Sequence, residues 1–152
     1  DAGLRFQLDL VGEDTLAGAV HALADAWRLS PYVTFTGFLP HERLRPLVAA
    51  ADVLLVSSRH EAGPLVALEA AVAGVPTVGT AVGHIREWAP TAAVAVPVGD
   101  AEALARETLA LLGDDTRRVA LAREAQRRAI EQDADWTARS VEVAYQELTA
   151  RA

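Results

Sequence analysis

The chain has 152 residues, enough for one domain with a real core, and half of them are hydrophobic and about a quarter charged, an ordinary globular balance. A formal net charge of −7 argues against a general binder of phosphate backbones, so no nucleic-acid partner is expected, and no apolar run approaches the ~20 residues of a bilayer span. The absence of Cys excludes disulfides and thiolate metal sites; the basic side chains besides His are all Arg. The first residues do not read as a signal peptide, and a cytoplasmic location is expected. The chain opens on Asp1 rather than Met, which is read as a processed or truncated N-terminus.

In chain order, Leu4 to Val11 alternates and then turns apolar, predicting a strand that ends at Gly12. Asp14 or Thr15 is placed to cap a helix whose apolar residues Leu16, Val20, Leu23, Ala24 and Trp27 keep helical spacing, and Pro31 stops it. Val33 to Thr36 is a β-branched and aromatic strand ending at Gly37, and His41 to Ala51 predicts a helix carrying Pro46. Val53 to Val56 is the next strand. A helix over Pro64 to Ala73, with Gly74 as its terminator, precedes a strand over Pro76 to Thr80 and a short helical turn from Gly83. Ala92 to Val96 closes the strands. Asp100 caps a helix over Ala101 to Leu112, and two charged helices follow, about Asp115 to Glu131 and Asp135 to Thr149.

Short apolar strands alternating with helices predict an α/β fold: a Rossmann-like parallel sheet with helices on both faces. Ligands of such sheets bind at the carboxyl ends of the strands, which points to the loops after Val11, Thr36, Val56, Thr80 and Val96. No G-x-G-x-x-G or Gly-Lys-Ser/Thr motif is present, which removes the common dinucleotide and P-loop readings.

The stretch from Val53 to Val82 carries the chemistry. Glu69 lies eight positions after Glu61 and is the only charged residue from Ala62 to Val82. A carboxylate in so apolar a helix needs hydrogen-bond donors. One reading puts it on an exposed stripe or against a distant Arg; the other brings it a ribose diol, because an ionised carboxylate is acceptor-only and suits vicinal hydroxyls. Gly63 and Pro64 open that helix at the strand's carboxyl end, so the free N–H groups of Leu65 and Val66 form a seat for a pyrophosphate. Glu61, ahead of the helix, is placed for the hydroxyls of a sugar beyond the phosphates.

These residues resemble the signature of retaining GT-B glycosyltransferases of the family 4 (group 1) type. The likeness rests on Glu61 and Glu69, on Ala73-Gly74-Val75-Pro76, and on Gly79-Thr80-Ala81-Val82-Gly83. It extends to Leu10-Val11-Gly12, to Val33 through Pro40 (V-x-F-x-G-x-x-P), to Ala50-Ala51-Asp52-Val53, to Pro97-Val98-Gly99-Asp100, and to Trp136. The resemblance implies the C-terminal half of a GT-B fold: residues 1–152 as one donor-binding domain, lacking the N-terminal acceptor domain and the donor domain's first strand.

It further implies transfer of a sugar, with retained anomeric configuration, from a nucleotide-diphosphate sugar to an acceptor. Glu61 becomes the catalytic, sugar-contacting carboxylate and Glu69 holds the ribose. Ala62, Gly63, Pro64 and Leu65 run along the sugar and phosphates, Gly37, Phe38 and Leu39 meet the base, and Gly12 is a further substrate-binding position. The family is generally metal-independent and no cofactor is expected; Arg and Lys neutralise the leaving diphosphate. The chain's own missing N-terminal domain is the expected protein partner, with peripheral membrane contact left open, and the isolated chain is expected to transfer nothing.

Two departures stand out. Where the family often reads Glu-Gly-Phe-Gly, this chain has Glu61-Ala62-Gly63-Pro64. Where the loop after the fourth strand usually carries two glycines, it has Gly83-His84. His84 reads as a surface side chain, with contact to phosphate or sugar as the alternative; Arg59 and His60 flank Glu61 and are further candidates. The rival readings are a nucleotide-sugar epimerase of the same architecture and a degenerate, non-catalytic nucleotide-binding module.

Overall fold

The structure is a computed structural model that describes residues 5–150. Leu4, the first residue of the expected opening strand, lies outside them. The chain divides into two compact units, one ending at Leu44 and the other beginning at Arg45.

In the first unit, β1 (Leu8–Val11) pairs in parallel with β2 (Val33–Gly37). The register runs from Leu8 opposite Val33 to Leu10 opposite Phe35, then shifts so that Val11 faces Gly37. The helix between them, α1 (Ala19–Ala26), starts later than the apolar spacing predicts. The reason is local: the Asp14 carboxylate accepts from the backbone N–H of Leu16 at 2.8 Å and from that of Gly18. Those bonds, chiefly the one from Leu16, hold its carboxyl below the usual carboxylate range. Asp14 therefore closes a turn rather than capping the helix, and Ala17 and Gly18 follow with positive φ (52° and 87°), which breaks the helical path. A 3-10 turn over Ser30–Tyr32 places Pro31 ahead of β2. The boundary between the units falls inside α2 (His41–Ala49).

The second unit holds β3 (Leu54–Val56), α3 (Leu65–Val72), β4 (Thr77–Thr80), α4 (Gly83–Trp88) and β5 (Val94–Val96). Three further helices follow: α5 (Ala101–Leu112), α6 (Asp115–Glu131) and α7 (Ala134–Thr149). The strands form a parallel sheet in the order β3-β4-β5, with Val56 opposite Gly79 and Thr80 opposite Val96. All four residues of β4 are buried, as a strand covered on both faces requires.

Strand alternation divides the core in two. Val56 packs with Ala67 and Ala71 of α3 and with Ile85 and Trp88 of α4, while Val78 and Val94 pack with Leu111 of α5 and Leu121 of α6. Gly79 is needed in the first layer, because a Cβ there would lie 2.8 Å from the Val56 carbonyl oxygen and 2.9 Å from Ile85 Cδ1.

The helix ends follow the sequence signals. At the end of α3, Gly74 (φ 77°) donates to Ala71 and Val75 donates to Ala70, a Schellman closure. Asp100 and Asp114 cap α5 and α6 by accepting from Ala103 and Arg117. α7 buries none of its residues. Among the described residues no helix is long and apolar enough to cross a membrane. The architecture is the expected Rossmann-like α/β type, parallel sheet with helices on both faces.

Candidate functional site

The carboxyl ends of β3 and β4 emerge side by side, because their parallel register sets Val56 against Gly79. The loop after β3 is tied to its neighbour by Thr80, whose buried hydroxyl donates to the Ser58 carbonyl oxygen. The Ser58 hydroxyl in turn donates to Glu61 Oε1 at 2.8 Å. This pair of bonds fixes one oxygen of an otherwise exposed carboxylate.

The next approach is between backbones. A Cβ on Gly83 would stand 2.7 Å from the Ala62 carbonyl oxygen and 3.2 Å from that of Glu61. Only glycine allows the start of α4 to sit so close to the loop after β3, and its φ of 45° reinforces the requirement.

Beside this contact opens a cleft of about 560 Å³, lined among others by Arg59, His60, Glu61, Ala62, Gly83 and Arg86. Among the described residues neither Arg59 nor Arg86 forms an ion pair, so the cleft offers two uncommitted guanidinium groups in a chain of net charge −7. A second hollow, about 310 Å³ along β5, is bordered by Arg106, Glu107 and Arg117. Its charges satisfy one another, Glu107 lying within 3.9 Å of Arg106 and 3.5 Å of Arg117.

Beyond the cleft wall the chain enters α3. Pro64 is buried, with φ −66°, and its carbonyl accepts from Ala67 at 3.0 Å. Leu65 and Val66 are left with backbone N–H groups that have no acceptor among the described residues. Glu69 lies in the second turn of this helix, half-buried, between the buried Ala67 and the buried Ala70 and Ala71.

The structure thus brings Glu61 and Ala62 together with Gly83 at one cleft, and carries Gly63, Pro64 and Leu65 on from it into the helix that bears Glu69. Gly12, Gly37, Phe38 and Leu39 belong to the other unit. There Gly12 donates to the Gly37 carbonyl at 2.9 Å, both glycines have positive φ, and Phe38 is exposed. His84 keeps more than a third of its side chain exposed. It is half-buried and its ring lies against Gly63. Arg86 is a cleft residue that sequence reasoning passed over; its position three residues after Gly83, on the turn following β4, was the available signal.

Residues 2–114 match the family profile Glycosyl transferases group 1. The chain belongs to that family. Among group 1 relatives it is 38% identical over 99 residues to the 2-deoxystreptamine N-acetyl-D-glucosaminyltransferase of Streptomyces fradiae, covering 64% of this chain and 24% of that protein. It is 37% identical over 130 residues to the D-inositol 3-phosphate glycosyltransferase of Salinispora tropica, covering 84% of this chain and 27% of that protein. The fold matches sucrose-phosphate synthase from Thermosynechococcus elongatus with a TM-score of 0.81 at 29% identity, over 96% of this chain and 39% of that one. Its structural neighbours are GT-B glycosyltransferases, in agreement with the resemblance read from Glu61, Glu69 and the glycine turns. The chain spans only about a quarter of the length of the relatives it matches.

Proposed function

We propose that this group 1 chain binds a nucleotide-diphosphate sugar and serves as the donor-binding domain of a retaining glycosyltransferase of the hexosyltransferase type. The observation that carries the reading is the succession of cleft and helix in the second unit. Glu61 stands at a cleft with two uncommitted guanidinium groups, and Glu69 is half-buried in the helix that begins where the cleft ends. The family of the chain and the sugar-transferring names of its relatives support transfer as the activity of the whole protein.

In this reading each group has a chemical task. One oxygen of Glu61 accepts hydrogen bonds from hydroxyls of the donor sugar, while Ser58 holds the other. The N–H groups of Leu65 and Val66 and the positive end of α3 face the diphosphate, and Arg59 and Arg86 offset its charge. As the leaving diphosphate gains charge in the transition state, such fixed donors stabilise it more than they stabilise the ground state. Glu69 accepts from the ribose diol. The acceptor comes from elsewhere in a longer protein, so residues 1–152 alone bind donor weakly and transfer nothing.

The test is calorimetric titration of the full chain with UDP-, GDP- and ADP-sugars and the matching nucleotides. Glu69→Ala weakens every nucleotide by the same factor, whereas Glu61→Ala matters only when a sugar is attached. If both variants bind like the parent, the assignments are wrong; sugar transfer by residues 1–152 in isolation would overturn the division of labour.

A further inference from the structure

The contact between His84 and Gly63 has a geometry that a chance surface neighbour lacks. His84 lies in the first turn of α4, and its partly exposed imidazole has three neighbours. The buried Trp88 indole lies nearly parallel to it, with ring centroids 5.9 Å apart and planes 27° apart. Glu87 Oε2 stands 3.4 Å from Nδ1. The third is Gly63, where a Cβ would meet Nε2 at 2.7 Å, Cδ2 at 3.0 Å and Cε1 at 3.5 Å. A side chain at 63 would meet the far end of the His84 side chain and require that ring to move.

The two departures from the family signature are therefore one. Position 63 has Gly where the signature often has Phe, and position 84 has His where it usually has Gly. These two positions touch. At this contact the ring is supplied by α4. The cleft itself is walled by Ala62 and Gly83, the chain neighbours of the two residues in contact. The imidazole thus acts on a ligand through backbone rather than by reaching it.

We propose that His84 is a positioning residue for the donor loop, fixing Ala62–Pro64 so that the following N–H groups of Leu65 and Val66 aim at the diphosphate. This rests on the donor-binding reading above. The ring does the work of packing that an aromatic at 63 would do, and the Glu87 and Trp88 contacts fix its orientation. Removing it takes away the side-chain contact at Gly63 and leaves the loop held by the Thr80–Ser58 and Ser58–Glu61 hydrogen bonds alone.

The experiment uses the full chain and four variants: His84→Gly, His84→Phe, Gly63→Phe and the double variant Gly63→Phe/His84→Gly. The probes are UDP-glucose, GDP-mannose and ADP-glucose with the matching nucleoside mono- and diphosphates, followed by calorimetry, and thermal unfolding is measured for each variant. His84→Gly should weaken diphosphate-containing ligands about tenfold, equivalent to one misplaced charge-assisted hydrogen bond, while leaving the monophosphate unchanged. His84→Phe should retain the parent's ratio of diphosphate to monophosphate affinity. Gly63→Phe should lose both diphosphate binding and thermal stability, and the double variant should recover both.

A general loss of structure would lower all ligands together, so the ratio separates positioning from mere stability. An unchanged ratio in His84→Gly, or a double variant no better than Gly63→Phe, overturns the proposal. If the parent binds no nucleotide sugar but the double variant still recovers stability, the donor-binding reading has failed and the contact is packing alone.

Discussion

Gly83→Ala and Gly113→Ala are the same chemical change at two helix ends of one unit, and the structure assigns them opposite signs. Gly83 has φ 45°, a region that costs an L-residue about 1–2 kcal/mol. Its new Cβ would also lie 2.7 Å from the Ala62 oxygen and 3.0 Å from the Ala62 carbonyl carbon, both backbone atoms that have no rotamer with which to escape. The loop must move by several tenths of an ångström, and forcing extra volume into a packed contact costs a further ~1–3 kcal/mol. A total of about 2–5 kcal/mol is expected for this variant. Gly113 ends α5 with φ −86°, which alanine adopts without strain, and its nearest neighbour would be the Leu109 carbonyl at an ordinary 3.5 Å. There the lost freedom of the unfolded chain should stabilise by about 0.4–1 kcal/mol.

Urea unfolding followed by tryptophan fluorescence reads both. Trp88 is buried in the same unit and reports its opening, whereas Trp27 and Trp136 are largely exposed already. With a urea slope of about 2 kcal/mol per molar, Gly83→Ala should lower the midpoint by about 1–2.5 M and Gly113→Ala should raise it by a few tenths of a molar. If Gly83→Ala unfolds at the parent's midpoint, or if the two variants shift together, the close approach of the loops after β3 and β4 is not what the structure says it is.

Two further outcomes test the core and the surface. Leu111 has no exposed area and packs with Val78, Val94 and Leu121, so Leu111→Ala should cost about 2–5 kcal/mol by the same urea assay; a loss below ~1 kcal/mol would mean the layer can collapse around it. On α6, hydrogen bonds from Arg127 and then Arg128 lower the Glu124 carboxyl from the ordinary value of 4.5 to about 2. A carboxyl depressed by folding contributes stability that is fully present above its unfolded value and is lost as pH falls through the folded one. Melting temperature should therefore fall between pH 4.5 and about 2, and Glu124→Gln should flatten that part of the profile; an unchanged slope would assign the acid sensitivity to other groups.

Most of the fold was legible where one local signal decides the structure. Asp100 before one helix and Gly74 after another each act over a few residues, and each element formed where it was expected. The start of α1 was not legible in the same way. Its apolar spacing from Leu16 onward is helical, but Asp14 captures two backbone N–H groups that a helix would have to orient, and the positive φ at Ala17 and Gly18 follows from that turn. Periodicity reports which face is apolar; it does not report which backbone donors a carboxylate has already taken. The strand ends were overestimated for a different reason. Val53 and Ala92 are apolar enough to continue their strands, but a ladder extends only as far as both partners pair.

The site divides along the same line. Glu61 and Glu69 stand out in the sequence because charge in an apolar stretch is conspicuous residue by residue. The contacts that shape the cleft are not conspicuous, since Gly83 meets Ala62 and His84 meets Gly63 across 21 residues of chain. Yet they follow from a single fact about the sheet. Once β3 and β4 are parallel neighbours with Val56 opposite Gly79, the chains leaving them emerge at the same end and the loop after one must run beside the loop after the other. Gly83 then lets the backbones come close, and only then does a histidine at 84 face position 63. The two oddities at 63 and 84 look unrelated along the chain because the quantity that relates them is register, which belongs to a pair of strands and to neither alone.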